Sequence, residues 1–355
     1  MSAAEDRAGN IRLIRDSAAA VALRGNDLSR IRALRFAEPG FDRSIWREIC
    51  AMGWTGLRVP ADAGGAGLGA QEYCALAEEL GASLVPEPLI PCVLAASALH
   101  GDALAALLGG EQVVLPAWQE SAGTLDPGEQ TTFDGGRLNG GKQFVHMAAG
   151  ADAFLVVARG ALALLARDAP GVRLDIATTQ DGGHFGTLTI VNAPATPLPG
   201  RFALAALDEA ALATAAYLLG VMQRAFAMTL DYLKTRRQFG RPIGSFQALQ
   251  HRAADLKIQL ELTRASVQTA AAILDVESAH ATQKQAAVSR AKARASESAL
   301  LLTRQAIQLH GGIGYTDEYD VGLYLRKAMV LANLYGSPAL HRARWAALMP
   351  EDEEA

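Results

Sequence analysis

Apolar positions recur at helical spacing through the first hundred residues, as in Trp46, Ile49 and Cys50 and again in Tyr73, Leu76, Ala77 and Leu80. Glycine-rich breaks at Gly53 and from Gly64 to Gly69 punctuate this pattern, which predicts a helical domain over residues 1–112. From about Val113 the period changes. Short β-type runs, Gln143 to His146, Phe154 to Ala158 and Thr187 to Val191, alternate with turn signals at Asp134-Gly135, Asp181-Gly182 and Pro197 to Gly200. They predict a small, β-barrel-like middle domain over 113–203. Long amphipathic stretches then return, Leu207 to Lys234, Ser245 to about Ala279 and Thr282 to His310, the second carrying the stripe Phe246, Leu249, Ala253, Leu256 and Leu260. Long helices joined by short loops predict a four-helix bundle over 204–350, followed by an acidic tail at 351–355. The fold class expected is therefore α+β, mostly α.

Composition narrows the function classes. At 355 residues with 50% apolar content, the chain is long enough for two or three packed units. A net charge of −4 with arginines scattered through helices leaves no electrostatic footprint for nucleic acid. Cys50, Cys74 and Cys92 sit in helix-like segments without metal-ligand spacing and read as buried thiols, so no metal site is expected. The charged N-terminal segment MSAAEDRAGN precedes no long apolar run, and no window approaches about 18 uncharged apolar residues. The expectation is a cytoplasmic protein without a membrane partner.

The richest chemistry lies in YLKTRRQFGRPIGSFQALQHRAAD, Tyr232 to Asp255, and QLHGGIGYTDEY, Gln308 to Tyr319. In the first, an apolar helix carrying Lys234, Arg236 and Arg237 breaks at Gly240 and Pro242 and restarts at Ser245, with Gln247 and Gln250 able to face the break. Fixed cations and amide donors thus gather at a helix start, where backbone N–H groups lack partners, and a diphosphate suits that arrangement. Taken singly, Arg236 also reads as a solvated end-of-helix charge and Gly311-Gly312 as a helix stop.

Four ordered segments carry a resemblance over nearly the whole chain: GWTGLRVPADAGGAGLGAQEYCALAEELG (Gly53 to Gly81), LNGGKQFV (Leu138 to Val145), RRQFGRPIGSFQ (Arg236 to Gln247) and QLHGGIGYTDEY. They resemble the signatures of acyl-CoA dehydrogenases. The resemblance implies FAD bound between a β domain and a helical bundle, an acyl-CoA substrate whose α-proton a carboxylate removes, and an electron-transfer flavoprotein as acceptor. It implies that Arg236 meets the FAD diphosphate, with Phe239 beside it and Gln247 at the next helix start. Gln308, Gly311 and Gly312 match residues around the same dinucleotide, which in family dimers belongs largely to the neighbouring subunit. Phe144 and His146 fall at flavin-facing positions.

The chain also departs from the family pattern. The glutamate expected nine residues beyond Arg326 is Tyr335, followed by Gly336 and Ser337, the latter at a position that borders the cofactor. A phenol of reference pKa about 10 is a poor substitute for a carboxylate base. Relatives that place their base on the first C-terminal helix align it with Ala210. Its neighbour Glu209 points about 100° away and reads either as a charge complementing the helix dipole or as a relocated base. Where the family shows Thr-Glu-Pro and Gly-Ser-Asp, Ala117 to Pro127 reads AWQESAGTLDP, and only Glu120 matches. His146 replaces a small hydroxyl residue and either donates a hydrogen bond or fills space; Trp118 reads as core.

Groups expected to serve a neighbour's flavin are present, and groups expected to hold the chain's own are altered. In this the chain resembles small subunits of heteromeric acyl-CoA dehydrogenases, such as those of pimeloyl-CoA dehydrogenase and of steroid side-chain degradation. The resemblance implies an α2β2 assembly with a catalytic partner subunit. Two other readings stay open: a self-sufficient homomeric dehydrogenase using Glu209, and a non-catalytic scaffold or binding protein of the same fold.

Overall fold

The computed structural model describes residues 3–21 and 27–349; the acidic tail lies outside them. Six helices come first, α1 (Ala3–Val21), α2 (Ser29–Leu34), α3 (Arg43–Ala51), α4 (Ala70–Ala82), α5 (Leu89–Ala96) and α6 (Gly101–Leu108). Eight strands follow, β1 (Val114–Ala117), β2 (Thr132–Asp134), β3 (Arg137–His146), β4 (Ala153–Ala158), β5 (Ala161–Ala166), β6 (Val172–Thr178), β7 (His184–Pro194) and β8 (Thr196–Leu198). The remainder comprises α7 (Leu204–Thr235), a hairpin of β9 (Arg237–Gln238) and β10 (Arg241–Pro242), α8 (Gln247–Leu274), α9 (Ala281–His310), α10 (Gly312–Tyr315), α11 (Val321–Leu331) and α12 (Pro338–Leu348).

These elements group into two compact units. One gathers the described residues of Met1–Leu28, Ala70–Val85 and Ala211–Ala355, and the other Ser29–Gly69 and Pro86–Ala210. In the first, α9 packs against α8, α11 and α12, and α4 against α1 and α8. α4 and α7 cross at near backbone contact. A Cβ on Gly81 would lie 2.0 Å from the Tyr217 carbonyl oxygen, and one on Gly220 would lie 1.9 Å from that of Glu78, so only glycine fits at either position. Ala213, Ala215 and Ala216 on α7, each fully buried, add only a methyl group apiece.

By length and composition α7 could cross a membrane, although its longest uncharged run, Ala210 to Gln223, stays short of the roughly 18 residues that mark a span. However, 78% of its most apolar window is buried inside the protein, and its apolar character serves the core.

In the second unit the strands form two four-stranded sheets, ordered β1-β4-β5-β8 and β2-β3-β7-β6. β1 runs parallel to β4, and the other pairings are antiparallel. Fully buried β4 is the continuous apolar run Phe154 to Ala158 extended by Ala153. Arg43 on α3 grips Asp152 through Nη1 and Nη2, at 2.7 and 3.0 Å, and Asp152 also accepts the Val113 amide at 2.7 Å. These bonds fix the entrance to β4 and hold the Asp152 carboxyl below its usual range against the opposing cost of burial. All three cysteines are free and buried; burial pushes the Cys50 thiol up to about 11.

Candidate functional site

The helical unit builds the first candidate motif from a helix end, a tight hairpin and a new helix start. α7 stops at Thr235, and the Arg236 amide closes its last turn on the Tyr232 carbonyl at 2.8 Å. Arg241 then pairs with Gln238, and Pro242 with Arg237, leaving Phe239 and Gly240 as a two-residue turn with φ of 53° and 78°. Two successive positive φ values make a type I′ turn, which natural sequences rarely build with phenylalanine. The conformation thrusts Phe239 outward, 89% exposed. Arg241 lies 4.1 Å over the Phe246 ring, which Phe239 meets edge-on at 6.1 Å. After a short 3₁₀ turn, α8 starts at Gln247, two residues later than expected from Ser245, and no side chain caps it. Gln250 does face the break, donating to the Gly244 carbonyl at 2.9 Å. Arg236 and Gln247 are both exposed, and among the described residues Arg236 makes no ion pair.

The second motif ends α9 in the same unit. Gly311, with φ 66°, donates its N–H to Ile307 and Gln308, and α10 begins at Gly312. A Cβ on Gly311 or Gly312 would meet nothing within 4 Å, whereas one on Gly314 would lie 2.8 Å from the Ile307 carbonyl oxygen. Gly314 is therefore a packing glycine, and Gly311 and Gly312 leave open backbone beside exposed Gln308. Aromatic rings bring the motifs together. His310 lies 4.5 Å from Tyr232 and 4.8 Å from Tyr319. The sequence reading passed over all three as site residues, though each sits at the edge of a motif.

Tyr335 is buried, 4% exposed, at φ 56° in the turn between α11 and α12. This turn is fixed at each backbone oxygen that matters. The Tyr335 carbonyl lies 2.8 Å from His341 Nε2. Lys292, fully buried on α9, donates to the carbonyls of Leu331, Ala332 and Gly336 and to Ser296 Oγ at 3.0–3.3 Å. The ammonium thus occupies the C-terminal end of α11, where unpaired carbonyls and the helix dipole favour a cation. Burial pushes Lys292 down to about 7. His341 falls to about 4, chiefly through burial and then through the Lys292 charge, so it stands neutral. Ser337 caps α12 by accepting the Leu340 amide at 3.2 Å.

Glu209 differs from both sequence readings in its partner. α7 begins at Leu204, three residues before the expected start, which puts Glu209 beyond the first turn and weakens the dipole reading. Its carboxylate is gripped by Arg58, Nε to Oε2 at 2.9 Å and Nη2 to Oε1 at 2.8 Å. Both oxygens are engaged. This two-point ion pair orients the carboxylate toward Arg58 and leaves each oxygen a further lone pair.

Phe144 and His146 lie in the β unit. Between the pairs Lys142–Leu188 and Val145–Gly186 the register of β3 shifts, and Phe144 there adopts φ 56° and stands 41% exposed. The bulge turns its ring out of the sheet. His146 packs its ring 5.5 Å from Phe185, consistent with a space-filling role. Glu120 faces inward: it accepts Lys142 Nζ at 2.8 Å and the amides of Gln130 and Thr131 at 2.9 and 2.8 Å. These bonds bring its carboxyl down to about 2, against the opposing and largest effect, burial. Lys142, itself fully buried, also donates to Trp118 and Pro127, closing the 117–127 loop over the ion pair.

Comparison with known proteins decides the family. The model of the acyl-CoA dehydrogenase N-terminal domain matches residues 11–106, and that of the C-terminal domain matches 200–349. The chain belongs to the acyl-CoA dehydrogenase family. Acyl-CoA dehydrogenase IpdE2 of Mycobacterium tuberculosis is 33% identical over 331 residues, covering 92% of this chain and 93% of that one. Among solved structures, a Tcur3481–Tcur3483 steroid ACAD variant superimposes with a TM-score of 0.85 at 31% identity over 98% of both chains. The ChsE4–ChsE5 complex from Mycobacterium tuberculosis gives 0.84 at 27% over 99% of both.

FAD is the cofactor of acyl-CoA dehydrogenases, and the two units of this one suit it unequally. The helical unit offers an exposed guanidinium without an ion-pair partner among the described residues, a helix start without a side-chain cap, and open glycine backbone, all suited to a diphosphate. In the β unit, Glu120 is consumed by Lys142 and His146 packs on Phe185.

Proposed function

We propose that this chain is the accessory subunit of a heteromeric acyl-CoA dehydrogenase, completing the FAD site of a catalytic partner in an α2β2 assembly. When bound, FAD supplies the redox chemistry, taking the β-hydrogen of an acyl-CoA as hydride. This chain's part is to bind and orient. Arg236 would neutralise the diphosphate, Gln247 and Gln308 would bond its edges, and Gly311 and Gly312 would admit it close to backbone. Phe239, projected by its turn, would reach toward the partner. Reducing equivalents would pass to an electron-transfer flavoprotein.

The observation that carries this reading is the contrast between intact, exposed dinucleotide groups and an occupied base position. Tyr335 stands where the family places its glutamate, and the nearest alternative carboxylate, Glu209, is held at both oxygens by Arg58. A self-sufficient enzyme based on Glu209 would have to reach its substrate with a carboxylate already oriented by Arg58. Support also comes from likeness to the Tcur3481–Tcur3483 and ChsE4–ChsE5 chains, each solved as part of a two-protein pair.

The test is to purify the assembly through a tag on this chain, carrying either the native residue or Arg236→Ala, and to read FAD per assembly from its absorbance. Loss of a charge-assisted contact predicts FAD affinity weakened about tenfold or more. Unchanged occupancy would sink the reading.

A further inference from the structure

The three-ring stack joining the two motifs is built around a histidine that is hydrogen-bonded through Nδ1 and packed against two tyrosine rings. His310 is 3% exposed, with its ring 31° to Tyr232 and 47° to Tyr319, and the two tyrosines meet at 6.1 Å. The 2.7 Å contact from Nδ1 to the Ala306 carbonyl assigns the proton to Nδ1, which leaves Nε2 as an acceptor. That nitrogen is buried and has no hydrogen-bond partner among the described residues. What the structure shows of the ring's role is its packing against the two tyrosines, with Nδ1 anchored to the chain. Burial, the larger effect, also lowers the ring's pKa, partly offset by the bond to Ala306, and keeps it neutral.

Its location gives that packing a use. The Tyr232 carbonyl receives the Arg236 amide and so anchors the start of the β9–β10 hairpin. His310 is the last residue of α9, two beyond Gln308 and immediately before Gly311. The plate formed by Tyr232, His310 and Tyr319 therefore touches both motifs at their roots. We infer that His310 is a positioning residue that fixes the Arg236 hairpin against the Gln308–Gly312 turn, so that both address one dinucleotide.

The inference rests on the reading that these motifs hold FAD for a partner, and two readouts separate the failure of one from the failure of the other. In the full chain alone, hydrogen exchange of amides 308–316 is expected to quicken about tenfold in His310→Ala, as two ring contacts of ordinary strength are lost, and to stay near the native rate in His310→Phe. In the tag-purified assembly, His310→Ala should weaken FAD binding about tenfold and His310→Phe should restore it. If His310→Phe releases FAD as readily as His310→Ala does, the plate is overturned and the imidazole nitrogens matter. It is equally overturned if His310→Ala leaves both exchange and FAD unchanged while Arg236→Ala still loses the cofactor. Retention of FAD in Arg236→Ala overturns the accessory-subunit reading, whereas the exchange result stands or falls on its own.

Discussion

Glu209 is one residue from a family base position, and its two oxygens are committed to Arg58, 151 residues away in the chain. Glu209→Gln should therefore leave the turnover of the assembly within about twofold and instead cost about 1–2 kcal/mol of stability, the range for a partly exposed two-point ion pair. Steady-state rates and urea unfolding of the same variant check both halves; a loss of about a hundredfold or more in kcat with unchanged stability would restore the relocated-base reading. This residue also marks the limit of what was legible. The sequence could place Glu209 one step around the helix from Ala210, but a guanidinium so distant in sequence leaves no local signal. Arg236, Phe239 and Gln247 were legible as a cluster because spacing alone puts them at one chain reversal. The Tyr232–His310–Tyr319 plate was not, since aromatic residues at helical spacing look like core until their rings are seen to meet.

Elements were legible where apolar periodicity is strong. The structure contains α7, α8 and α9 and strands enclosing all three β-type runs. Their ends were less legible. The first residue of α7, Leu204, is 49% exposed and adds nothing to the periodic signal. α8 stops at Leu274 rather than near Ala279; the Asp275 carboxylate that follows accepts the Gln71 amide at 3.2 Å, capping α4. Such a cap is tertiary and invisible locally. The loop over residues 117–127 likewise owes its form to the ion pair between Glu120 and Lys142 on β3. The Glu120 carboxyl is lowered from about 4.5 to about 2 on folding. Its stabilising contribution is therefore complete above about pH 4.5 and is lost as pH falls toward about 2. Urea midpoints should show native protein well above Glu120→Gln at pH 5, with the gap closing as the pH drops through that window. A gap that stays constant with pH would show that the carboxylate's charge contributes nothing to the loop.

At the scale of the whole molecule, the chain keeps the acyl-CoA dehydrogenase fold, and the proposed accessory role divides the chemistry with a partner. The helical unit retains exposed dinucleotide groups, and its α11–α12 turn is pinned by Lys292 and His341 around a tyrosine. That rigidity gives a well-formed turn with buried Tyr335 at its centre, which suits the proposed role of supporting a partner's flavin. The most direct measurement is the flavin content and mass of the assembly purified through a tag on this chain. An accessory subunit requires two kinds of chain in equal number and one FAD for every two chains, with the chain purified alone colourless. A yellow homomer holding one FAD per chain, and reduced by an acyl-CoA without any second protein, would contradict it.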